Sequence, residues 1–202
     1  MTKPILAALA AAAGLAACAT PPPEAVTDLG AKACRADYDL VSAIAIAPPK
    51  EGAAYWTQAV ALDEASPCVN GGNALVFRLP TEPGKVVRLG TALEAKRFAP
   101  ARVSLLDASG AVTRSWSGET MPFRGGTQVA VFTPTPDEAY AVLQVVPDEM
   151  GGALERVMPG PVAALDEDAA ARRGVMRYPY SQEGQVVLQV GTRRTEVTEA
   201  LR

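Results

Sequence analysis

No histidine occurs anywhere in this sequence, and several function classes go with it. A chain without imidazole has no Ser-His-Asp or Cys-His nucleophile, no histidine general base and no histidine-ligated metal. Basic side chains are in the minority: 19 Lys and Arg stand against 22 Asp and Glu, a formal charge of -3. That balance does not suit a surface that tracks phosphates, so no nucleic-acid partner is expected. The glycine patterns that cradle nucleotides, G-x-G-x-x-G and G-x-x-x-x-G-K, are missing, as is a D-x-D-x-D-G calcium loop. No cofactor and no metal are therefore expected. Aromatic residues are sparse at 5%, so a core would use most of them. Cysteine is scarce and odd in number, at three, which leaves one for a task other than pairing.

Beyond the N-terminus no run of apolar residues is long enough to span a bilayer. Residues 1–17, MTKPILAALAAAAGLAA, carry one basic residue, Lys3, then an apolar stretch and small residues up to Cys18. This is the layout of a secretory signal rather than of a membrane helix. Leu15-Ala16-Ala17-Cys18 resembles the bacterial lipobox. The resemblance implies cleavage before Cys18, a diacylglycerol on its thiol and an acyl chain such as palmitate on its amine. Several acyl chains on one residue make a stable membrane anchor. The alternative is an ordinary cleavage site followed by an incidental cysteine. Ala19 and Thr20, not Asp, follow Cys18. By resemblance to bacterial sorting signals, that favours the periplasmic side of the outer membrane.

Cys34 and Cys68 remain. In an oxidising compartment a disulfide between them is expected, and it would contribute about 3–4 kcal/mol through loop closure. Two buried free thiols are the alternative. With no histidine and no Cys-x-x-Cys, a redox role has no support.

Residues 18–33 read as a lipidated, flexible tether that opens on Pro21-Pro22-Pro23. From 34 to 202, short apolar runs alternate with glycine and proline turns, as in one all-β domain. Strands are expected at 56–62, 74–79, 86–93, 102–106, 112–116, 128–132 and 140–146. Residues 40–47 are ambiguous between helix and strand, and 148–161 read as irregular. One short helix is expected at 165–173, acidic at its start and basic at its end. Residues 177–180 and 186–190 are expected to close the sheet as a final hairpin, with 192–202 as a polar edge or tail. The architecture expected is a single β-sandwich of jelly-roll character.

Within 70–146, Phe77-Arg78-Leu79-Pro80 ends a strand at a leucine-proline step. Phe98-Ala99-Pro100 leads into the next strand and its Asp107-Ala108-Ser109-Gly110 turn, and an aromatic-led apolar run begins at Tyr140. Together with Gly71-Gly72 and the lipoprotein-like start, this segment is similar to the maltose-operon periplasmic protein family. The resemblance implies a non-catalytic accessory protein of the periplasm linked to maltodextrin handling. Its partner would be an oligosaccharide or another envelope protein. It brings no catalytic residue with it.

Carboxylates are the catalytic chemistry still open, at Asp63-Glu64, Asp148-Glu149 and Asp166-Glu167-Asp168. A glycosidase needs two of them across a cleft, and neighbours on a strand point to opposite faces. None of these groups is a site by itself. A carboxylate-dependent glycan hydrolase and a purely structural envelope lipoprotein therefore stand as the alternatives to a binding module. Tyr178 and Tyr180, two apart around Pro179, would share one face of an edge strand and are candidate platforms for sugar stacking. Tyr55, Trp56 and Trp116 are the other bulky rings considered for that role.

The lipid assignment has a direct check. In cells fed labelled palmitate, the wild-type protein is expected to take up label and enter the detergent phase, and Cys18→Ser to do neither. A labelled Cys18→Ser variant would overturn it.

Overall fold

Eight long strands build the antiparallel body of two sheets in the computed structural model, which describes residues 24–47, 55–157 and 175–192. They are β1 (Tyr55–Leu62), β2 (Gly72–Arg78), β3 (Val86–Ala92), β4 (Ala101–Leu106), β5 (Val112–Trp116), β6 (Thr127–Phe132), β7 (Tyr140–Val145) and β8 (Gly184–Gly191). One sheet runs β1-β8-β3-β6 and the other β2-β7-β4-β5. Each strand thus pairs with its mirror in the chain: β4 with β5, β3 with β6, β2 with β7, and β1 with β8. Nested pairing of this kind is a long hairpin rolled into a sandwich, the jelly roll. The expected all-β sandwich is the observed one.

Alternation builds the core. Val186, Leu188 and Val190 of β8, with Val87 and Leu89 of β3, meet Leu75 and Phe77 of β2, Val103 and Leu105 of β4, and Leu143 of β7. Full burial of each such side chain stabilises by about 1.5–3 kcal/mol. β7 lies between β2 and β4 and is buried along nearly its whole length. Its sequence is accordingly a continuous apolar run rather than an alternating one. The ambiguous segment 40–47 contributes only the short strand Ile44–Ala45, paired in parallel with β2. The short strand Cys68–Val69 turns into β2 through Asn70 and Gly71, at φ 47° and 83°. A type I′ two-residue hairpin loop requires both in the left-handed region, which favours Asn-Gly.

Three expectations need correction. Residues 24–33, assigned to a flexible tether, are hydrogen-bonded along one end of the sandwich. The Val26 N–H donates to Ser181 Oγ at 3.0 Å, and its carbonyl accepts from the Gln182 N–H at 2.7 Å. Lys32 Nζ donates to Asn73 Oδ1 at 2.7 Å. Asn73 and Gln182 are both buried and bonded to each other, and buried polar groups need this kind of saturation. The Cys34–Cys68 disulfide, between Cα atoms 4.5 Å apart, fastens the same segment.

The second correction concerns 148–161, which is not irregular throughout. A short 3-10 turn, Pro147–Glu149, leads to a strand at Ala153–Val157. Third, that strand pairs with Val175–Pro179 as a separate ribbon, while β8 enters the sheet between β1 and β3. The expected final hairpin does not form, because the apolar face of β8 needs the core whereas Val175 to Arg177 are exposed. Residues 1–17, Cys18, the helix expected at 165–173 and the tail from 193 lie outside the described residues.

An ion pair on a buried carboxylate holds β5 to the loop before β7. Arg114 donates through Nε and Nη2 to the two carboxylate oxygens of Glu138, each at 2.6 Å. Burial pushes this carboxyl up, but the bonds from Arg114, the Thr135 N–H and Thr113 outweigh it and hold it at about 2. A carboxyl depressed from its ordinary 4.5 contributes about 3 kcal/mol above that pH, lost progressively as pH falls toward 2. Glu138→Gln is expected to lower the unfolding free energy at pH 7 by about 2–3 kcal/mol. It should also flatten the loss of stability between pH 4.5 and 2, as read by urea titration at each pH.

Candidate binding groove

The alternation that points Val186, Leu188 and Val190 inward turns Gln185, Val187 and Gln189 to the outer face of the β1-β8-β3-β6 sheet. Arg88 and Gly90 face outward from β3 for the same reason. Register aligns these residues in rows: Thr57, Gln189, Arg88 and Val131 in one, and Ala59, Val187, Gly90 and Val129 in the next. A groove of about 710 Å³ runs along this face, floored by Ala59, Ala61 and Val187 and lined by Thr57, Gln189 and Thr127. Tyr55, 41% exposed, precedes Thr57 by two positions on the same face of β1.

One end of the groove is ionic. Arg97 is held between Glu94 and Glu183, with Nη1 at 3.0 Å from Glu183 Oε2. It also donates to the Glu24 carbonyl at 3.2 Å. Asp63 lines the groove too, but its Oδ1 accepts from the Ala65 and Ser66 N–H groups and the Ser66 hydroxyl. These carboxylates are engaged in ion pairs and turns rather than poised as an acid and a base.

Arg88 stands in the same row as Thr57 and Gln189, beside the groove. It is only 8% exposed, and its Nη2 donates to Thr127 Oγ1 at 2.9 Å. Arg88 pairs with Val131 while Thr127 pairs with Ala92, so the side chain runs along β3 past Gly90. A Cβ at Gly90 would meet the Gln128 carbonyl oxygen at 2.0 Å, so no other residue fits that position unchanged. Arg88 Nε has no hydrogen-bond partner, and burial pulls the guanidinium below its ordinary pKa. Directly opposite, Gln189 is 5% exposed. Its Nε2 donates to Thr57 Oγ1 at 3.2 Å, and its Oε1 has no partner.

The rings chosen from the sequence lie elsewhere. Tyr178 is 7% exposed, with its hydroxyl against Met176 Sδ. Tyr180 is half-buried and tilted against Phe98, at 6.1 Å between ring centres. Tyr178 therefore offers no open stacking face, and the Tyr180 N–H bonds to the Gly152 carbonyl while the Ser181 N–H bonds to that of Phe98. Trp116 stacks on Phe132. Asp148 and Glu149 sit in the 3-10 turn, and Asp166-Glu167-Asp168 are outside the described residues. No group of three or more His, Cys, Asp or Glu placed to hold a metal occurs among the described residues. No helix among them is long and apolar enough to cross a membrane. Arg88 and Gln189 read in the sequence as ordinary outward positions of two strands. Their one local signal is a charged or amide side chain set between apolar neighbours.

No protein-family model matches this chain, and no curated protein matches it.

Tyr178 is therefore expected to act on stability first. Tyr178→Ala should lower the unfolding free energy by about 3 kcal/mol in a denaturant titration, as large-to-small core changes do. Tyr178→Phe, which removes only a weak contact to sulfur, should change it by less than about 0.5 kcal/mol.

Proposed function

We propose that this protein is a lipid-anchored, non-catalytic binding module of the bacterial periplasm, and that it holds an oligosaccharide in the outer-face groove. The observation that carries the reading is the make-up of that groove. Its floor is of small side chains, an exposed ring at Tyr55 adjoins it, and the planar amide of Gln189 with the Thr57 hydroxyl stands beside them. Sugar rings offer an apolar face to aromatic carbon and hydroxyls to planar amides, so this combination suits them. The Cys34–Cys68 disulfide supports an oxidising compartment. The engagement of Glu94 and Glu183 by Arg97 supports binding without turnover. The resemblance to the maltose-operon family makes maltodextrin the first ligand to try.

Anchoring adds an orientation. With a lipid on Cys18 and the chain docked from Glu24 onward, five residues and six Cα–Cα steps separate the anchor from the domain. They reach at most about 20 Å. Since Arg97 both binds the Glu24 carbonyl and lines the groove, the ionic end of the groove would lie toward the membrane.

A glycan array and a maltodextrin column, run with the full lipidated protein in detergent micelles, test the reading. Ala59→Trp fills the floor from an exposed position and is expected to weaken binding at least tenfold. Its unfolding free energy should stay within about 0.5 kcal/mol of wild type. Release of reducing sugar, or a stoichiometric protein partner with no glycan signal, would overturn it.

A further inference from the structure

Three elements meet beside the point where the N-terminal segment docks. The loop from Leu93 to Phe98 follows β3, and the short strand Phe123–Arg124 precedes β6. The ribbon of Ala153–Val157 with Val175–Pro179 lies against both. The Leu93 N–H donates to the Gly126 carbonyl at 2.7 Å, and the Phe98 N–H to that of Pro179 at 3.1 Å. Phe98 meets Phe123 edge-on, with 5.4 Å between ring centres. Arg156 lies over the same Phe123 ring at 4.9 Å. Arg97, in the first loop, holds the Glu24 carbonyl, and five residues lie between Glu24 and Cys18.

Charge is uneven on this surface. Its carboxylates are claimed: Arg97 takes Glu94 and Glu183, and Arg177 takes Glu155. Glu149, on the turn before the ribbon, interacts with Arg102. Lys96 and Arg124 are exposed and pair with no carboxylate among the described residues. Arg156 is held by a ring rather than by an acid, so its charge stays available. These three elements therefore carry a cationic surplus in a chain whose formal net charge is -3. Apolar exposure falls on the same ribbon, with Val175 56% and Met176 43% exposed. Successive strand residues point to opposite faces, so this end of the ribbon is apolar on both. A single protein neighbour covers one face, whereas a lipid surface surrounds both.

Free cations beside an exposed apolar tip are the combination that settles at a membrane interface. The short link from Cys18 to Glu24 keeps this surface within about 20 Å of the anchor. We propose that it rests on anionic phospholipid, with Lys96, Arg124 and Arg156 against headgroup phosphates and Val175 and Met176 at the acyl-chain boundary. The inference rests on the lipid anchor and goes beyond it, since it turns a tether into a fixed orientation.

Hydrogen exchange read by mass spectrometry tests it, on the full lipidated protein in phosphatidylcholine vesicles and in vesicles with about a third phosphatidylglycerol. Amides of 93–98, 153–157 and 175–179 are expected to exchange at least about fivefold slower in the anionic vesicles, as even one cation at such a surface implies. Salt at about 0.5 M should remove the difference, because screening then acts within about 4 Å. Lys96→Glu combined with Arg124→Glu should abolish it. The melting temperature should stay within about 2 °C of wild type, both positions being exposed. Val175→Ser should reduce the protection of 175–179 in anionic vesicles. Equal exchange in the two kinds of vesicle, or a difference that survives the double charge reversal, would overturn the inference and leave the anchor intact. Protection that needs an added envelope protein and ignores phosphatidylglycerol would assign the surface to a protein and overturn it too. A chain that washes off both kinds of vesicle would remove the anchor reading, and this inference with it.

Discussion

When β8 enters between β1 and β3 it satisfies the backbone on both its sides and turns Val186, Leu188 and Val190 into the core. The same step sets Gln185, Val187 and Gln189 on the outer face and so creates one wall of the groove. A slip of one residue would exchange the two sets, burying two glutamines and exposing the apolar stripe, so the register is strongly specified. The residues leading into β8 depend on it as well. Ser181 and Gln182 receive the N-terminal segment, and Glu183 receives Arg97. Core, groove and N-terminal docking thus follow from one strand insertion. It is also the pairing most distant along the chain, joining Tyr55 to Gly191. Loop closure must precede its reward, so it belongs to the slow part of folding.

Two arginines show how the molecule divides stability from binding. Arg114 lies on the β5 edge and is matched atom for atom by Glu138, which is itself further bonded by Thr113 and Thr135. That arrangement is complete, and it offers nothing to a ligand. Arg88 is more deeply buried yet bonded only to a threonine hydroxyl. Such a group lowers the stability of the free protein and places unsatisfied polarity next to a groove. The disulfide and the Asn73–Gln182 bonds fasten the N-terminal segment and the start of β2 to the residues leading into β8.

Much of the fold was legible from local pattern. The alternation in RVSLL and the Asp107–Gly110 turn marked β4, β5 and their hairpin, and the apolar run from Tyr140 marked a central strand. Errors arose where partners are distant. Residues 177–180 and 186–190 are adjacent in sequence and looked like a hairpin, but each found a better partner far away. Residues 24–33 look like solvated linker, since no local pattern announces that Ser181, Gln182 and Asn73 will saturate them. The site was less legible than the fold. Tyr178 and Tyr180 were singled out for their spacing, and their burial depends on a ribbon whose other strand begins more than twenty residues earlier.

The sequence by itself determined the all-β class, most strand positions and the cysteine pair, because each is written in composition or in short-range periodicity. It also excluded histidine chemistry outright. Only the tertiary structure decided the nested strand order, the docking of the N-terminal segment and the facing of Arg88 with Gln189. Those two residues are 101 positions apart in the chain and neighbours in the sheet. Their unmet hydrogen-bonding capacity is a property of the pairing and of the burial around it, and local sequence encodes neither.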